Sequence, residues 1–182
     1  NRYLEESGEV IIRGTNGASG TSAYFGDINT YQGLIQQIMS DPEERFLVEV
    51  KYKIVESPSV IYSIDSNKNL FHLANTKQLL DKNLAHQGND FPFNKQDKIM
   101  LQMQMIGSTI GNEMAQSGYI GPFGIDYIIT GNDQIIPTEC NARMTGAVYP
   151  LDIIRRIEQI TNKPVEYARS KNISLPTISS FA

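Results

Sequence analysis

The sequence predicts an α+β fold. Two observations carry that expectation. Apolar strands come in adjacent pairs joined by polar turns, and amphipathic helices stand between the pairs instead of after every strand. The 182 residues are 40 % apolar and 20 % charged, an ordinary globular composition with enough chain to bury a sizeable core.

Taken in order, "EVIIR" (9–13) reads as a strand and "AYFGD" (23–27) as its return, around the glycine- and hydroxyl-rich tip "GTNGASGTS" (14–22). "YQGLIQQIMS" (31–40) has apolar residues at helical spacing, and the proline in "DPEE" ends the pattern. "RFLVEVKY" (45–52) is an apolar strand. "SPSVIYSID" (57–65) and "LFHLAN" (70–75) alternate about the turn "SNKN" and form a second hairpin. Residues 76–93 carry turn signals and predict a less regular stretch. A long helix is expected over 94–117, with Ile99, Met103, Ile106, Ile110 and Met114 as its apolar stripe, Asn94 as its cap and Asp97 near its positive end. The methionines at 100, 103 and 105 read as core filler, not a cofactor box. "YIGPFGIDYIIT" (119–130), the turn "GND" and "QIIPTECNAR" (134–143) predict a hairpin of two long strands. "LDIIRRIEQI" (151–160) is a short amphipathic helix, and the tail from 171 has little pattern. His72 reads as a strand side chain and His86 as a loop residue.

Several function classes recede on composition alone. A net charge of −4 leaves no basic footprint for nucleic acid. No apolar run approaches a membrane span. The single cysteine, Cys140, excludes an internal disulfide and fits a reducing compartment, so a cytoplasmic location is expected. The chain opens at Asn1 and enters a strand almost at once, which reads as a piece of a longer or processed protein.

The late hairpin holds the chemistry. Side chains alternate along a strand, so Glu139, Asn141 and Arg143 share one face. With "GND" as the turn, Asp126 faces position 138 and neighbours Glu139. A one-residue bulge would instead put Asp126 on the Glu139 face. Two carboxylates and an amide carbonyl form an all-oxygen site suited to a hard cation, Mg²⁺ or Mn²⁺. Arg143 adds a planar donor fork for phosphate or carboxylate. The competing reading is a solvated hairpin face. Against it stands Asp126, set in the run "FGIDYII", which is too apolar to face water on both sides and whose carboxylate would need a partner. The loop "GTNGASGTS" offers backbone N–H groups that wrap phosphate oxygens, although no Walker A lysine follows. A plain hairpin tip is the alternative there.

Four segments in order resemble the ATP-grasp superfamily of carboxylate–amine ligases and biotin-carboxylase-like enzymes. "VIIRGTNGASG" is similar to that family's phosphate-binding strand and flexible loop, and "FLVEVKYKIVES" to its hinge strand. "GPFGIDYIIT" and "IIPTECNAR" resemble its paired metal-binding strands with Glu-x-Asn-x-Arg. The thirteen-residue step from Asp126 to Glu139 agrees with the family. "SPSVIYSID" and "HQGNDFP" resemble the branch of peptide and amino-acid ligases.

The resemblance implies ATP and Mg²⁺ (or Mn²⁺) as cofactors, and two lobes of antiparallel sheet with helices around a nucleotide cleft. It implies that Asp126, Glu139 and Asn141 hold the metal and that Arg143 stabilises the transferred phosphoryl group. Arg13 would reach the phosphates, with Ser19, Gly20 and Thr21 on the loop above them. Glu49 and Val50 would meet adenine at the hinge, Glu56 the ribose hydroxyls, and Gln78 and Lys77 would border the nucleotide. The implied ATP-grasp domain covers residues 1–170, with a small lobe over about 1–50, a large lobe over about 51–170 and a tail over 171–182. Small-molecule carboxylate and amine substrates follow, and a homodimer is compatible with the sequence. Arg13 and Gly14 depart from the family's usual lysine and proline, and the family's preceding N-terminal domain is absent from this sequence. A nucleotide-binding module without turnover is therefore the main alternative, and a structural α+β domain without a site is the other.

Overall fold

The computed structural model describes residues 10–14, 23–26, 46–82 and 84–172. These form two units, one of the described residues up to Lys53 with Asp81–His86, the other of Ile54–Leu80 and the described residues from Gln87. The expected helix over 31–40 lies outside the described residues, as do Ser19, Gly20 and Thr21.

In the first unit, β1 (Val10–Gly14) is the middle strand between β2 (Ala23–Gly26) and β3 (Phe46–Val50), both antiparallel to it. Val10 and Ile12 are buried. Their alternation with Ile11 is the period of a strand with one covered face.

The second unit is a seven-stranded sheet. Its strands are β4 (Ile54–Glu56), β5 (Pro58–Ile64), β6 (Leu70–Leu80), β7 (His86–Phe91), β8 (Gly121–Thr130), β9 (Ile135–Asn141) and β10 (Ala168–Lys171). The strand β8 organises it, taking β5 and β4 end to end along one edge and β9 along the other. Beyond β5 the order continues through β6 and β7 to β10.

Alternation on β5 and β8 sorts side chains between two layers. Val60, Tyr62, Ile64, Phe123, Ile125, Tyr127 and Ile129 face α1 (Asp97–Gln116) and bury with its Ile99 and Met103. Ile61 and Phe91 on the other side pack with Val148 and Leu151 of α2 (Val148–Thr161). Tyr62 stacks on Phe123 with centroids 5.4 Å apart, and Tyr127 Oη donates to the Met103 carbonyl at 3.1 Å. Helix α1 crosses this layer closely. A Cβ on its Gly107 would run into the Tyr62 hydroxyl and stand 2.7 Å from the ring.

Four sequence expectations need correction. The stretch 76–93 is not irregular, because it contains the end of β6 and all of β7. Its polar residues Thr76 and Asn89 are buried against each other (Oγ1 to Oδ1, 3.2 Å), which hides the apolar alternation a strand usually shows. Helix α1 begins at Asp97, not after Asn94, with Gln96 in the capping position and no side-chain cap. The Phe93 amide is still bonded to Asn75 O (2.9 Å), so the chain leaves the sheet too late for Asn94 to cap. Met105 is 62 % exposed and is not core filler, whereas Met103 is fully buried. Helix α2 starts a turn early, at Val148, with Pro150 tolerated in its first turn, and ends at Asn162 in the left-handed region (φ 51°).

The edge strand β10 has no clear sequence signal. Contacts to β7 hold it. Arg169 grips Asp90 through two bonds (2.6 and 2.8 Å), Tyr167 Oη donates to the same carboxylate, and the Asn89 amide donates to Ser170 Oγ. Those donors, the Arg169 guanidinium first, hold the Asp90 carboxyl below the usual carboxylate range.

Candidate metal site

The site grows from one irregularity in the β8–β9 ladder. Near the turn the pairing is regular, with Ile129 across from Ile135 and Tyr127 across from Pro137. Proline has no N–H to give the ladder, and the register shifts at that point. Asp126 then pairs with Glu139, which leaves Thr138 as the extra residue of a bulge. Its hydroxyl donates to the Asp126 carbonyl at 3.2 Å. Gly124 pairs with Asn141, two residues along the same face. This is the bulged alternative of the two registers that the sequence left open.

Asp126, Glu139 and Asn141 therefore converge. Asn141 Nδ2 donates to Asp126 Oδ2 at 3.1 Å, and Asn141 Oδ1 accepts from Arg143 Nη2 at 2.9 Å. Asp126 is half-buried. Glu139 is exposed, with no hydrogen-bond or ion-pair partner among the described residues. The surroundings are tightly built. A Cβ on Gly124 would stand 2.8 Å from the Thr145 methyl, and Ser59, buried, pairs directly with Asp126 from β5.

The donor chemistry fits a hard cation: two carboxylates and one amide carbonyl, all oxygen, on one sheet face. Among the described residues no three His, Cys, Asp or Glu side chains are placed together to hold a metal ion. The negative charge of the pair is felt nearby. Cys140 points the other way, with Sγ 3.5 Å from Met114 Sδ. Burial of the thiol, and then the charges of Asp126 and Glu139, push its pKa above the ordinary value.

The remaining expected site residues stand elsewhere. Arg13 pairs in β1 with Ala23 and Leu47, and its side chain lies outside the described residues. Glu49 and Val50 are half-buried in β3, opposite Ile11 and Val10. Glu56 pairs with Ile129 and does not join the Asp126 cluster. Its Oε1 lies 3.7 Å from Lys77 Nζ and 3.4 Å from Lys95 Nζ, while its Oε2 is buried with no hydrogen-bond partner among the described residues. The main-chain amide of Gln78, on β6, donates at 2.8 Å to the carbonyl of Ser57, the residue between β4 and β5. His72 is a strand residue bonded to Asn75 Oδ1 (2.9 Å), and His86 opens β7 instead of lying in a loop. Thr138, Ser59 and Lys95 are local partners that sequence reasoning missed. Pro137 inside an apolar strand was the available signal for the first of them.

Comparison with known proteins follows the same lines. No family model matches the sequence. A curated relative is the [butirosin acyl-carrier protein]–L-glutamate ligase of Niallia circulans, 36 % identical over 101 residues, which are 54 % of this chain and 23 % of that ligase. The chain thus spans less than a quarter of the relative's length. Among solved structures, N5-carboxyaminoimidazole synthetase from Staphylococcus aureus, complexed with ADP, matches with TM-score 0.66 and 15 % identity over 80 % of this chain and 38 % of that one. The biotin carboxylase domain of the Hydrogenobacter thermophilus 2-oxoglutarate carboxylase, in complex with MgADP, ADP and bicarbonate, matches with TM-score 0.67 and 14 % identity, over 92 % of this chain and 40 % of that one. The antiparallel sheets thus make a partial ATP-grasp fold, shared with these solved structures, and part of the sequence is similar to a ligase.

Proposed function

We propose that this chain is the Mg²⁺·ATP-binding part of a ligase that activates a carboxylate as an acyl-phosphate and joins it to an amine. The observation that carries the reading is the bulge that aligns Asp126 with Glu139 beside Asn141. In this reading those three residues hold Mg²⁺, which supplies charge neutralisation to the phosphates when bound. The carboxylate attacks the γ-phosphorus, the bond to ADP breaks, and the amine then displaces phosphate from the acyl group. Phosphoryl transfer asks for positioning and charge stabilisation more than covalent help. The exposed Arg143 fork answers that need by taking up phosphoryl or carboxylate oxygens. Arg13, Ser19, Gly20 and Thr21 are assigned to the phosphates. Glu49, Val50 and Gln78 are assigned to the base, and Glu56 to the ribose, where its buried Oε2, unbonded among the described residues, would meet a hydroxyl donor.

Small carboxylates and amines are the proposed substrates and the cytoplasm the proposed location. Among the described residues no helix is long and apolar enough to cross a membrane. Screening the full-length protein for ADP formation tests the reading, with amino acids in pairs and with L-glutamate plus an acyl-carrier protein. Substrate-dependent ADP release supports it. Binding of Mg²⁺·ATP without turnover on any pair favours instead a non-catalytic nucleotide module, the reading that Arg13 in place of lysine motivates.

A further inference from the structure

We infer that Arg143 and the divalent cation compete for one atom, the carbonyl oxygen of Asn141, so that loading the cation is what frees Arg143. The inference rests on reading Asp126, Glu139 and Asn141 as the cation's oxygen set. The orientation of the Asn141 amide is fixed by its neighbours. Its NH₂ faces the Asp126 carboxylate and its carbonyl faces the guanidinium. A flipped amide would set oxygen against oxygen and NH₂ against NH₂. Arg143 thus sits on the one uncharged acceptor of the set. A cation at about 2.1 Å from that oxygen would stand roughly 4–5 Å from the guanidinium, where like charges repel strongly. Glu139 has no competing partner among the described residues. Among the described residues little else holds Arg143, which is exposed and whose other side-chain bond, to Met144 O, is long at 3.5 Å. Its release turns a structural donor into a fork available to phosphate or carboxylate oxygens. Metal loading and anion capture at Arg143 are then coupled, and linkage makes the coupling reciprocal.

Mn²⁺ titration of the chain without nucleotide, followed by the paramagnetic resonance signal of the free ion, tests this in wild type, Arg143→Lys and Glu139→Ala. Arg143→Lys keeps the charge but loses the planar fork, so it is expected to bind Mn²⁺ roughly tenfold more tightly, the equivalent of one hydrogen bond to a charged group. Mn²⁺ is also expected to speed phenylglyoxal modification of Arg143, read by peptide mapping. Equal or weaker Mn²⁺ binding in Arg143→Lys, or modification that Mn²⁺ leaves unchanged or slows, overturns the inference. If Mn²⁺ binding is at the same time lost in Glu139→Ala, the oxygen-site reading survives that result. If wild type binds no Mn²⁺, both fall.

Discussion

Asp126 stands directly across the ladder from Glu139, and the residue that makes this possible is Thr138, left over between that pair and the next, Tyr127 with Pro137. Thr138→Val keeps the side-chain shape and removes the bond to the Asp126 carbonyl. We expect a loss of about 1 kcal/mol in stability, the usual worth of one such bond, by urea denaturation. Mn²⁺ affinity should fall in parallel. Unchanged stability and affinity would mean that the bulge is held by Pro137 alone.

The close approach of α1 to β5 makes Gly107 sensitive. In a helix interior, alanine is ordinarily favoured over glycine by about 1 kcal/mol. Here the added methyl meets a buried tyrosine ring at 2.7 Å. Overpacking should reverse the sign and destabilise by about 1–3 kcal/mol. Gly111→Ala should cost less, because its nearest neighbours are the flexible ends of Leu70 at 2.7 and 2.8 Å. Chemical denaturation of the two variants side by side checks the ranking.

Alkaline stability follows from the same layer. Burial pushes the Tyr62 hydroxyl up to about 12, and that of Tyr127 up as well. An acid whose folded pKa is raised ionises first in the unfolded chain. Its stabilisation is complete below about pH 10, the unfolded tyrosine value, and is lost as pH rises toward 12. Denaturation midpoints should hold steady from pH 8 to 9.5 and drop beyond 10, and Tyr62→Phe should flatten the drop.

Cys140 reports on the site from behind. Its pKa is raised by burial and by the charges of Asp126 and Glu139. The pH profile of iodoacetamide labelling should therefore lie above that of an ordinary thiol. It should move down in Glu139→Gln, which removes one of the charges. A profile that does not move would show that burial alone sets it.

Much of this architecture is legible in the residues. Period-two alternation marks β5 and β8, and a 3–4 spacing marks the buried stripe of α1 from Ile99 to Met114. Glu139 and Asn141 share a face by strand geometry, whereas the strand ends at Asn141 and Arg143, expected on the same face, stands beyond it with its amide turned back to Asn141 O at 2.7 Å. What escaped was whatever depends on a partner far along the chain. The strands over 76–93 hide because Thr76 and Asn89 satisfy each other inside the sheet. The edge strand β10 hides because side-chain bonds to Asp90 hold it, not an apolar pattern. The register at Asp126 was legible only as a pair of alternatives, since a bulge is a choice between ladders that differ by one residue. Glu56 was singled out by the resemblance, near the end of the hinge-like segment, but its position beside Lys77 and Lys95 depends on a contact from just before α1.

The most direct test is the thermal unfolding of the chain with and without Mg²⁺·ATP, in wild type and in Glu139→Ala. Saturation near a hundredfold over Kd adds about 2.7 kcal/mol, which for a chain of this size raises Tm by roughly 5–10 °C. That rise is expected in wild type and its loss in Glu139→Ala. No shift in wild type with any nucleotide and divalent cation, or an equal shift in Glu139→Ala, would contradict it.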